Sequence, residues 1–421
     1  MPPLPFLGRR SEIAELEAGL ADAVAGHGAL VLVAGEAGIG KTRLVDELSR
    51  RAPRVGAASS WGLSWESGGA PPFWPWIQIL RDLSRSERAA EQAPGPASYL
   101  SLLVPELTRR GEAATPPTDL ASQHARFRLF DEATTFLRNA AATRPLLLIL
   151  EDLHAADLPS LLLLRFLARS LRDARILAVG TTREVEARRR PDIAATLDDI
   201  AREGRRLVLG GLDEDEVAAL VKLVCGVVPS RELVSSIYRA TEGNPFFTDE
   251  TLRLLLSENR GRLPAGGAPT LPVPTRVREA IRRRLETLPE HCRGTLTVAA
   301  VLGKEFDGVL VARVTGLDAE DLRDWVTEVE SLGLVRASPK GHSFTHALIR
   351  ETVYDDLTGD ERAELHARVA EVLEASLAGD SGAPLAEIAF HYHAGFPRAD
   401  EEKAIDFAIS AARRAIALCA Y

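Results

Sequence analysis

The first half of the chain alternates between short apolar runs and longer amphipathic stretches. The apolar runs are of strand length and fall at 29–34, 56–65, 145–150, 175–181 and 206–209. Runs that are apolar throughout are typical of strands buried on both faces, as in a parallel sheet. With helical patterns between them, they predict an α/β fold in which helices cover both faces of the sheet.

The pattern becomes helical after residue 212. Asp213 and Glu216 stand three residues apart, like the N-cap and N3 residues of a capping box, so a helix should begin there. Helical periodicity then continues to residue 258. The prolines and glycines of 263–274 cannot continue a helix, and this segment is predicted to be a linker.

Beyond the linker, short helical patterns precede two short strand patterns. Helices are expected at 275–288, 290–301, 307–315 and 318–332, and strands at 334–338 and 342–345. Helices followed by a two-stranded hairpin are typical of a winged helix. Residues 385–395 and 402–419 then predict an antiparallel helix pair. Because one such pair cannot bury its own face, we expect the native protein to continue beyond Tyr421.

A glycine-rich motif stands between the first predicted strand and the amphipathic stretch after it. It matches GxxxxGK[ST] in full, and its residues are Gly35, Glu36, Ala37, Gly38, Ile39, Gly40, Lys41 and Thr42. Such a loop turns backbone N–H groups towards phosphates, and the helix N-terminus adds a favourable dipole. Lys41 should reach the β- and γ-phosphates and Thr42 should ligate Mg²⁺, so ATP or ADP with Mg²⁺ is the expected cofactor. The predicted cofactor-binding set also includes Arg43, the next residue.

Two acids and an arginine end later strand patterns. Glu151 and Asp152 follow the run at 145–150. One carboxylate should hold Mg²⁺ and the other should polarise the attacking water, which makes both catalytic and metal-site candidates. Arg183 follows the run at 175–181 and would lie near the γ-phosphate if that strand neighbours the acid-tipped one. A solvated arginine at a helix start is the alternative interpretation.

These patterns divide the chain of 421 residues into five predicted segments. The length allows several separate cores. The segments are a P-loop nucleotide-binding domain (1–211), a helical lid (212–262), the linker (263–274), a winged-helix domain (275–358) and a TPR-like helical region (359–421).

Composition narrows the class of protein. A net charge of −9 and a pI near 5.6 argue against a surface built mainly for nucleic acid. Cys225, Cys292 and Cys419 lie far apart, so neither a disulfide framework nor a zinc site is expected, and a cytoplasmic location fits. The sequence has no signal-peptide pattern and no apolar run near the ~18 residues that span a bilayer, so no membrane contact is expected.

Several aromatic and histidine side chains outside the phosphate motif are not predicted to bind a ligand. Four aromatic residues cluster around prolines, at Trp65, Phe73, Trp74 and Trp76. They could form a stacking platform, but the prolines favour a loop pinned on the sheet edge. His391 and His393 have no acids or thiols near them in sequence and are interpreted as structural.

Further motifs accompany the phosphate motif along nearly the whole chain. They are Leu7-Gly8-Arg9-Arg10, WESGGAPPFWPW (65–76), ILEDLHAAD (149–157), Thr181-Thr182-Arg183, GNPFF (243–247) and FTHALIRETVYDDL (344–357). In this order they resemble the STAND class of P-loop ATPases, and within it the ATPase modules of bacterial large LuxR-type transcriptional regulators and of some nucleotide cyclase fusions. The resemblance implies an ASCE-type P-loop fold. Two positions depart from it, since Glu151 stands where Asp is more frequent and Ala155 where Trp often follows the His.

The resemblance also implies roles for matching residues. Leu7 and Arg9 would border the adenine, and Pro245 would pack against it from the lid. Arg183 would be the sensor arginine, and His346 would contact the β-phosphate in a closed, ADP-bound form. Each late assignment has an ordinary alternative: the Gly-Asn-Pro turn can simply end a helix, and His346 can be a satisfied histidine at a strand–helix junction.

Together these roles lead to the hypothesis of a switch. ADP would bridge the P-loop domain, lid and winged helix, Mg²⁺ with ATP would favour an open, oligomerisation-competent form, and slow hydrolysis would reset it. An unidentified inducer or partner protein would bind the C-terminal helices, and DNA would be contacted only through a domain outside this chain. The alternatives are an AAA-like ATPase that couples rapid hydrolysis to DNA or protein remodelling, the regulatory module of a nucleotide cyclase, and a scaffold with a degenerate ATP site.

Overall fold

The computed structural model describes residues 6–65, 69–85, 98–104, 107, 123–258, 281–282, 285–286, 288–338, 341–376 and 384–417. The predicted linker at 263–274 and most of the predicted helix at 275–288 lie outside the described residues. All of the predicted site residues lie within them.

A five-stranded parallel sheet forms the centre of the N-terminal half. Its strands are β1 (Ala29–Ala34), β2 (Ala58–Leu63), β3 (Leu146–Glu151), β4 (Ile176–Thr182) and β5 (Arg205–Val208). They lie in the order β2-β3-β4-β1-β5, and every pairing is parallel. Each strand overlaps its predicted run, so the prediction of a parallel-sheet α/β fold is confirmed.

Helices cover both faces of this sheet. They are α1 (Arg10–Val24), α2 (Lys41–Arg51), α3 (Trp74–Ser84), α4 (Leu100–Leu103), α5 (Gln123–Thr143), α6 (Leu158–Ala168), α7 (Glu184–Ala187) and α8 (Pro191–Glu203). Alternate residues of β3 explain the two layers, since successive side chains of a strand point to opposite faces. Leu148 packs in the cluster of α3, α5, α6 and α8, whereas Ile149 packs with α1 and α2.

Aromatic residues at the start of α3 belong to the core beside the sheet. Phe73 and Trp76 are fully buried, and the Trp76 indole N–H donates a hydrogen bond of 2.9 Å to the Ser160 carbonyl. Burial of these two rings excludes them from a surface stacking platform and fastens the start of α3 to α6.

Three helices follow the sheet and have a hydrophobic cluster of their own. They are α9 (Glu214–Cys225), α10 (Arg231–Thr241) and α11 (Pro245–Glu258). The predicted capping box is present, because the Asp213 side chain accepts from the Glu216 N–H and the Glu216 carboxylate accepts from the Asp213 N–H. This reciprocal pair satisfies two N–H groups at the helix start and fixes the beginning of α9.

The C-terminal part combines helices with a small antiparallel sheet. The helices are α12 (Glu290–Leu302), α13 (Gly308–Thr315), α14 (Ala319–Ser331), α15 (Ala347–Asp355), α16 (Gly359–Ala375), α17 (Leu385–Ala394) and α18 (Glu401–Ala417). The strands are β6 (Glu305–Phe306), β7 (Val335–Ser338) and β8 (Gly341–Phe344), in the order β6-β8-β7. The sequence predicted β7 and β8 but not β6, since two residues are too few to establish an alternating pattern.

One hydrophobic cluster extends through this C-terminal part. It contains Leu296 of α12 and Phe344 of β8, and also Val369 of α16 and Tyr392 of α17. The cluster crosses the predicted boundary between residues 358 and 359, so α16 and α17 pack on the same core as the small sheet. Among the described helices, none is both long enough and apolar enough to cross a lipid bilayer.

Candidate functional site

The phosphate motif forms the turn between β1 and α2. Gly38, in the middle of this turn, has φ +81°, in the left-handed region that glycine adopts without strain. A Cβ atom there would lie 2.9 Å from Asn244 Oδ1, 2.9 Å from Phe246 Cβ and 3.3 Å from His346 Nε2. Glycine is therefore required at this point both for the backbone conformation and for the close approach of three side chains from later in the chain.

Lys41 is the first residue of α2 and is buried. Its ammonium donates hydrogen bonds of 2.8 Å to the carbonyls of Gly35 and Glu36. Burial lowers the pKa of Lys41 to about 8, and the nearby Arg183 guanidinium adds to this shift. The ammonium thus lies inside the turn, where an anionic ligand would offset its burial and the positive charge of Arg183.

Glu151 ends β3 and is 3% exposed. Burial raises the pKa of this carboxyl, whereas a hydrogen bond with the Thr42 side chain acts in the opposite direction. Within the described part of the chain, Glu151 Oε1 has no hydrogen-bond partner. A buried carboxylate oxygen without a partner, beside a hydroxyl at the end of the phosphate motif, fits the oxygen ligands that Mg²⁺ prefers.

Asp152 begins the turn after β3 in an unusual backbone conformation. Its φ of +55° is rare for a residue other than glycine, and its N–H donates to Thr181 Oγ1 of β4 at 2.9 Å. Burial alone would raise the pKa of the Asp152 carboxyl, but the cations of Lys304 and Arg183 outweigh it and hold that pKa well below its usual range. Lys304 Nζ lies 2.7 Å from Asp152 Oδ2.

Arg183 follows β4, and β4 neighbours β3 in the sheet. This is the strand order that brings the Arg183 side chain beside the two acids. Its side chain is 7% exposed, and its Nε lies 4.0 Å from Asp152 Oδ1. Its Nη1 donates a hydrogen bond of 3.1 Å to Glu351 Oε1 of α15. Its backbone N–H lies 3.4 Å from His154 Nδ1, which links the ends of β3 and β4.

The segment between α10 and α11 reaches the phosphate motif through Asn244. The Asn244 amide donates a hydrogen bond of 3.0 Å to the Ala37 carbonyl, while its Oδ1 accepts from the backbone N–H of Phe246. Pro245, which the resemblance pointed to, is the half-buried first residue of α11. The hydrogen bond to the turn is thus made by the neighbouring Asn244. Its position in the Gly-Asn-Pro motif is the sequence feature that could have identified it as a site residue.

His346 is the N-cap residue of α15, and its Nδ1 accepts a hydrogen bond of 3.1 Å from the Leu348 N–H. A neutral imidazole whose Nδ1 accepts carries its proton on Nε2. That Nε2 lies 3.3 Å from the position of a Cβ atom on Gly38, so the N–H is beside the phosphate motif. The residue that the resemblance pointed to therefore reaches the turn with a donor.

The remaining predicted residues lie around the rim of this site. Arg9 is buried, and its guanidinium donates to the Ile39 carbonyl at 3.2 Å and to the Gly210 carbonyl. Leu7 packs against the hydrophobic cluster of α9, α10 and α11. Arg43 is exposed in the first turn of α2. Arg9 thereby joins the phosphate motif to the segment after β5, a structural function that the sequence analysis did not predict.

Two site residues, Lys304 and Glu351, were not found in the sequence analysis. They contact Asp152 and Arg183 from the C-terminal part of the chain. Glu351 lies within the motif at 344–357 but was given no role, and Lys304 belongs to no motif. Their partners are more than a hundred residues away, so no local pattern could identify them.

Comparison with known proteins bears first on the N-terminal part, which holds the phosphate motif and the two acids. Residues 5–179 match the AAA ATPase domain. An uncharacterized protein of Rhizobium meliloti (strain 1021) is 25% identical over 403 residues. That alignment covers 87% of this chain and 36% of the relative.

Among solved structures, a Signal Transduction ATPase with Numerous Domains (STAND) protein with a tetratricopeptide repeat sensor, from Pyrococcus horikoshii, is similar with a TM-score of 0.57 and 17% identity. The likeness covers 99% of this chain and 53% of that one, and it extends the agreement in fold beyond the AAA ATPase domain. The Aeropyrum pernix ORC2 protein has a TM-score of 0.40 and 16% identity, over 90% of this chain and 97% of that one. The chain thus spans about half the length of the STAND protein and about a third of the Rhizobium relative.

Proposed function

We propose that this chain is a nucleotide-dependent switch of the STAND type, which binds ATP or ADP with Mg²⁺. The observation that carries the proposal is the meeting of three separate parts of the chain at one turn. Asn244 from the segment before α11 and His346 from the start of α15 both lie against Ala37 and Gly38. A nucleotide bound at that turn would touch all three parts, so the number of its phosphates could affect the position of each part.

The side chains around the turn suit this ligand. Lys41 and the N–H groups at the start of α2 would bind phosphates, and Arg183 would serve as the sensor cation. Thr42, Glu151 and Asp152 would hold Mg²⁺, which supplies positive charge to the phosphates when bound. Leu7, Arg9 and Pro245 would border the adenine, with Arg43 at the rim. His346 Nε2–H would donate to the β-phosphate.

A switch of this kind has a closed form and an open form in equilibrium. A nucleotide changes that equilibrium only by binding the two forms with different affinity. Moving the population from 1:99 to 99:1 needs about 5.5 kcal/mol of difference in binding free energy. Contacts made by Asn244 and His346 exist only while their parts of the chain lie on the turn, so they can supply a difference of this kind. ADP would favour this closed form, and slow ATP hydrolysis would return the protein to it.

Our proposal for the whole protein goes further. Residues 212–262 would act as a lid, 275–358 as a winged-helix domain and 359–421 as the start of a TPR-like sensor for an inducer or partner protein. The tetratricopeptide repeat sensor named for the Pyrococcus horikoshii protein supports this reading of the C-terminal helices. The switch would regulate a bacterial transcription factor whose DNA-binding domain lies outside this chain, and nucleotide-dependent self-association would accompany opening.

Mass spectrometry of the nucleotide released from purified protein, combined with a turnover measurement, tests this proposal. We expect retained ADP and ATP turnover well below the ~10 s⁻¹ median of enzymes. Rapid turnover stimulated by DNA would instead indicate an active remodelling ATPase. Absence of bound nucleotide, together with no measurable affinity for ATP or ADP, would overturn the proposal.

A further inference from the structure

Four charged side chains form a row of alternating sign between the N-terminal and C-terminal parts of the chain. Lys304 Nζ lies 2.7 Å from Asp152 Oδ2, Asp152 Oδ1 lies 4.0 Å from Arg183 Nε, and Arg183 Nη1 lies 3.1 Å from Glu351 Oε1. The two central residues follow adjacent strands of the large sheet. The two outer residues come from the C-terminal part. Each central group therefore has a counter-ion that is supplied from outside its own domain.

The outer residues are held by the same structural unit that carries His346. Lys304 lies between α12 and β6, and its carbonyl accepts a hydrogen bond of 2.9 Å from the Phe344 N–H at the end of β8. Glu351 lies on α15, which His346 caps. A movement of this unit away from the phosphate motif would withdraw Lys304, Glu351 and the His346 imidazole together.

The row is buried at its centre, where ion pairing has the greatest effect. Asp152 is 5% exposed and Arg183 is 6% exposed, whereas the Lys304 side chain is 22% exposed. Removing a partner from a buried charge costs more than removing one at the surface. The pairs therefore keep Asp152 and Arg183 where they are as long as the C-terminal part remains in contact.

The pairing opposes the chemistry that these two central residues would perform in hydrolysis. A carboxylate polarises water by accepting a hydrogen bond from it, and an oxygen that already accepts from an ammonium is less available for that bond. A guanidinium stabilises charge on a transferring phosphoryl group only when its N–H groups can turn to that group. In this structure the Lys304 ammonium holds one of them and the Glu351 carboxylate holds the other.

We propose that Lys304 and Glu351 are inhibitory residues of the nucleotide site, which hold Asp152 and Arg183 in ion pairs and so prevent hydrolysis until the C-terminal part moves away. The inference rests on the proposed function, because it assigns a regulation to that same site. It makes the closed form catalytically inactive by electrostatics and links ATP turnover to release of the C-terminal part.

A cation beside a nucleotide site could also serve catalysis, as arginine fingers do, by stabilising negative charge in the transition state. The two functions of Lys304 predict effects of opposite sign. Removing an inhibitory counter-ion raises the rate of hydrolysis, whereas removing a catalytic cation lowers it.

The experiment measures single-turnover ATP hydrolysis by the full chain and by Lys304→Met, Glu351→Gln and the double variant. We expect each single change to raise the rate by about tenfold or more, because each frees one side chain of the site from its ion pair. The rate increase in the double variant should be smaller than the product of the two single increases, because both changes release the same row. Lys304→Arg keeps the positive charge and should restore slow hydrolysis.

Lys403→Met is the matched control, because it removes an ammonium from another lysine–glutamate pair, 2.9 Å from Glu374 on the exposed side of the C-terminal part. This control should leave the rate unchanged. An unchanged or slower rate in Lys304→Met, with ATP affinity and melting temperature retained, would overturn the inference while leaving nucleotide binding intact. Failure of the wild-type chain to bind nucleotide would instead remove the proposed function itself.

Discussion

The imidazole of His346 stacks on the ring of Phe246, with ring centroids 3.8 Å apart and planes inclined by 20°. Phe246 belongs to α11, His346 caps α15, and the Phe246 Cβ and the His346 Nε2 both lie beside Gly38. The stack joins the two later parts of the chain at the point where they meet the phosphate motif. A ligand that changes the position of either ring must therefore act on both parts.

The stack leads to a prediction for His346→Asn. Asparagine is a good N-cap residue, so α15 should keep its cap. The variant loses the ring and the Nε2–H that faces Gly38, and so we expect ADP to dissociate roughly tenfold faster, as the loss of one charge-assisted hydrogen bond implies. Stopped-flow release of fluorescent ADP measures this rate.

His342→Asn provides the control for that experiment. His342 lies on β8 and packs near Phe306 and Gly308 rather than on the stack. It should leave the ADP dissociation rate as it is in the wild type. Equal dissociation rates for His346→Asn and the wild type would show that the histidine does not contact the nucleotide.

Gly69 gives a second prediction, because it packs against α17 from the segment between β2 and α3. It has φ +79°, and a Cβ atom there would lie 2.7 Å from Glu387 Cα and 2.9 Å from Phe390 Cβ. The same segment leaves the sheet beside Glu151, whose carbonyl accepts from the Ser64 N–H at 3.0 Å. We expect Gly69→Val to push α17 away and to increase amide hydrogen exchange in α17.

Gly56→Val is the control that separates the effect of a collision with α17 from the effect of backbone strain. Gly56 has φ +78°, but a Cβ atom there would have no neighbour within 4 Å. Both variants therefore carry the same conformational penalty, and only Gly69→Val collides with a helix. If exchange in α17 rises equally in both, the packing of Gly69 is not what holds that helix.

How far the sequence predicted this structure depends on how local each feature is. The five strands, the capping box at Asp213 and the phosphate motif depend on neighbouring residues, and each was predicted at or near its position. Asn244 and Phe246 were missed as contacts because their partners, Ala37 and Gly38, are about two hundred residues away. The left-handed conformation of Asp152 carries no sequence signal, since it is imposed by the junction between β3 and its neighbours.

A buried histidine pair in the C-terminal part predicts sensitivity to acid. His366 Nδ1 lies 2.8 Å from His391 Nδ1, and the Tyr354 hydroxyl lies 2.9 Å from His366 Nε2. Burial lowers the pKa of His366 to about 4, aided by the cations of Arg350 and Arg362. Burial also lowers the pKa of His391 to about 3, aided by His366. At least one of the two rings must be neutral for the Nδ1–Nδ1 hydrogen bond, since one of the two nitrogens must accept.

The lowered pKa values of His366 and His391 determine how the free energy of unfolding changes with pH. Between pH 6.5 and 4 the unfolded chain binds protons that the folded pair does not, so the free energy of unfolding falls as the pH falls through this range. We expect a loss on the order of 3 kcal/mol for each ring by pH 4, which thermal melts at a series of pH values would measure. His391→Gln should weaken this dependence because an amide can accept the hydrogen bond without titrating.

His393→Gln is the control for the histidine pair, since His393 lies on the same helix and is exposed. The pH dependence of its melting temperature should match that of the wild type. A His391→Gln variant with the full wild-type pH dependence would show that the acid response originates elsewhere.

The central claim is that the turn around Lys41 binds the phosphates of a nucleotide, and the affinity of Lys41→Ala for ATP with Mg²⁺ tests it most directly. Lys222→Ala, which removes an exposed lysine from α9, is the matched control. Losing a buried charge-assisted contact should weaken binding by about 10- to 100-fold in Lys41→Ala and leave Lys222→Ala unchanged. A Lys41→Ala protein that binds ATP with Mg²⁺ as tightly as the wild type would contradict the account.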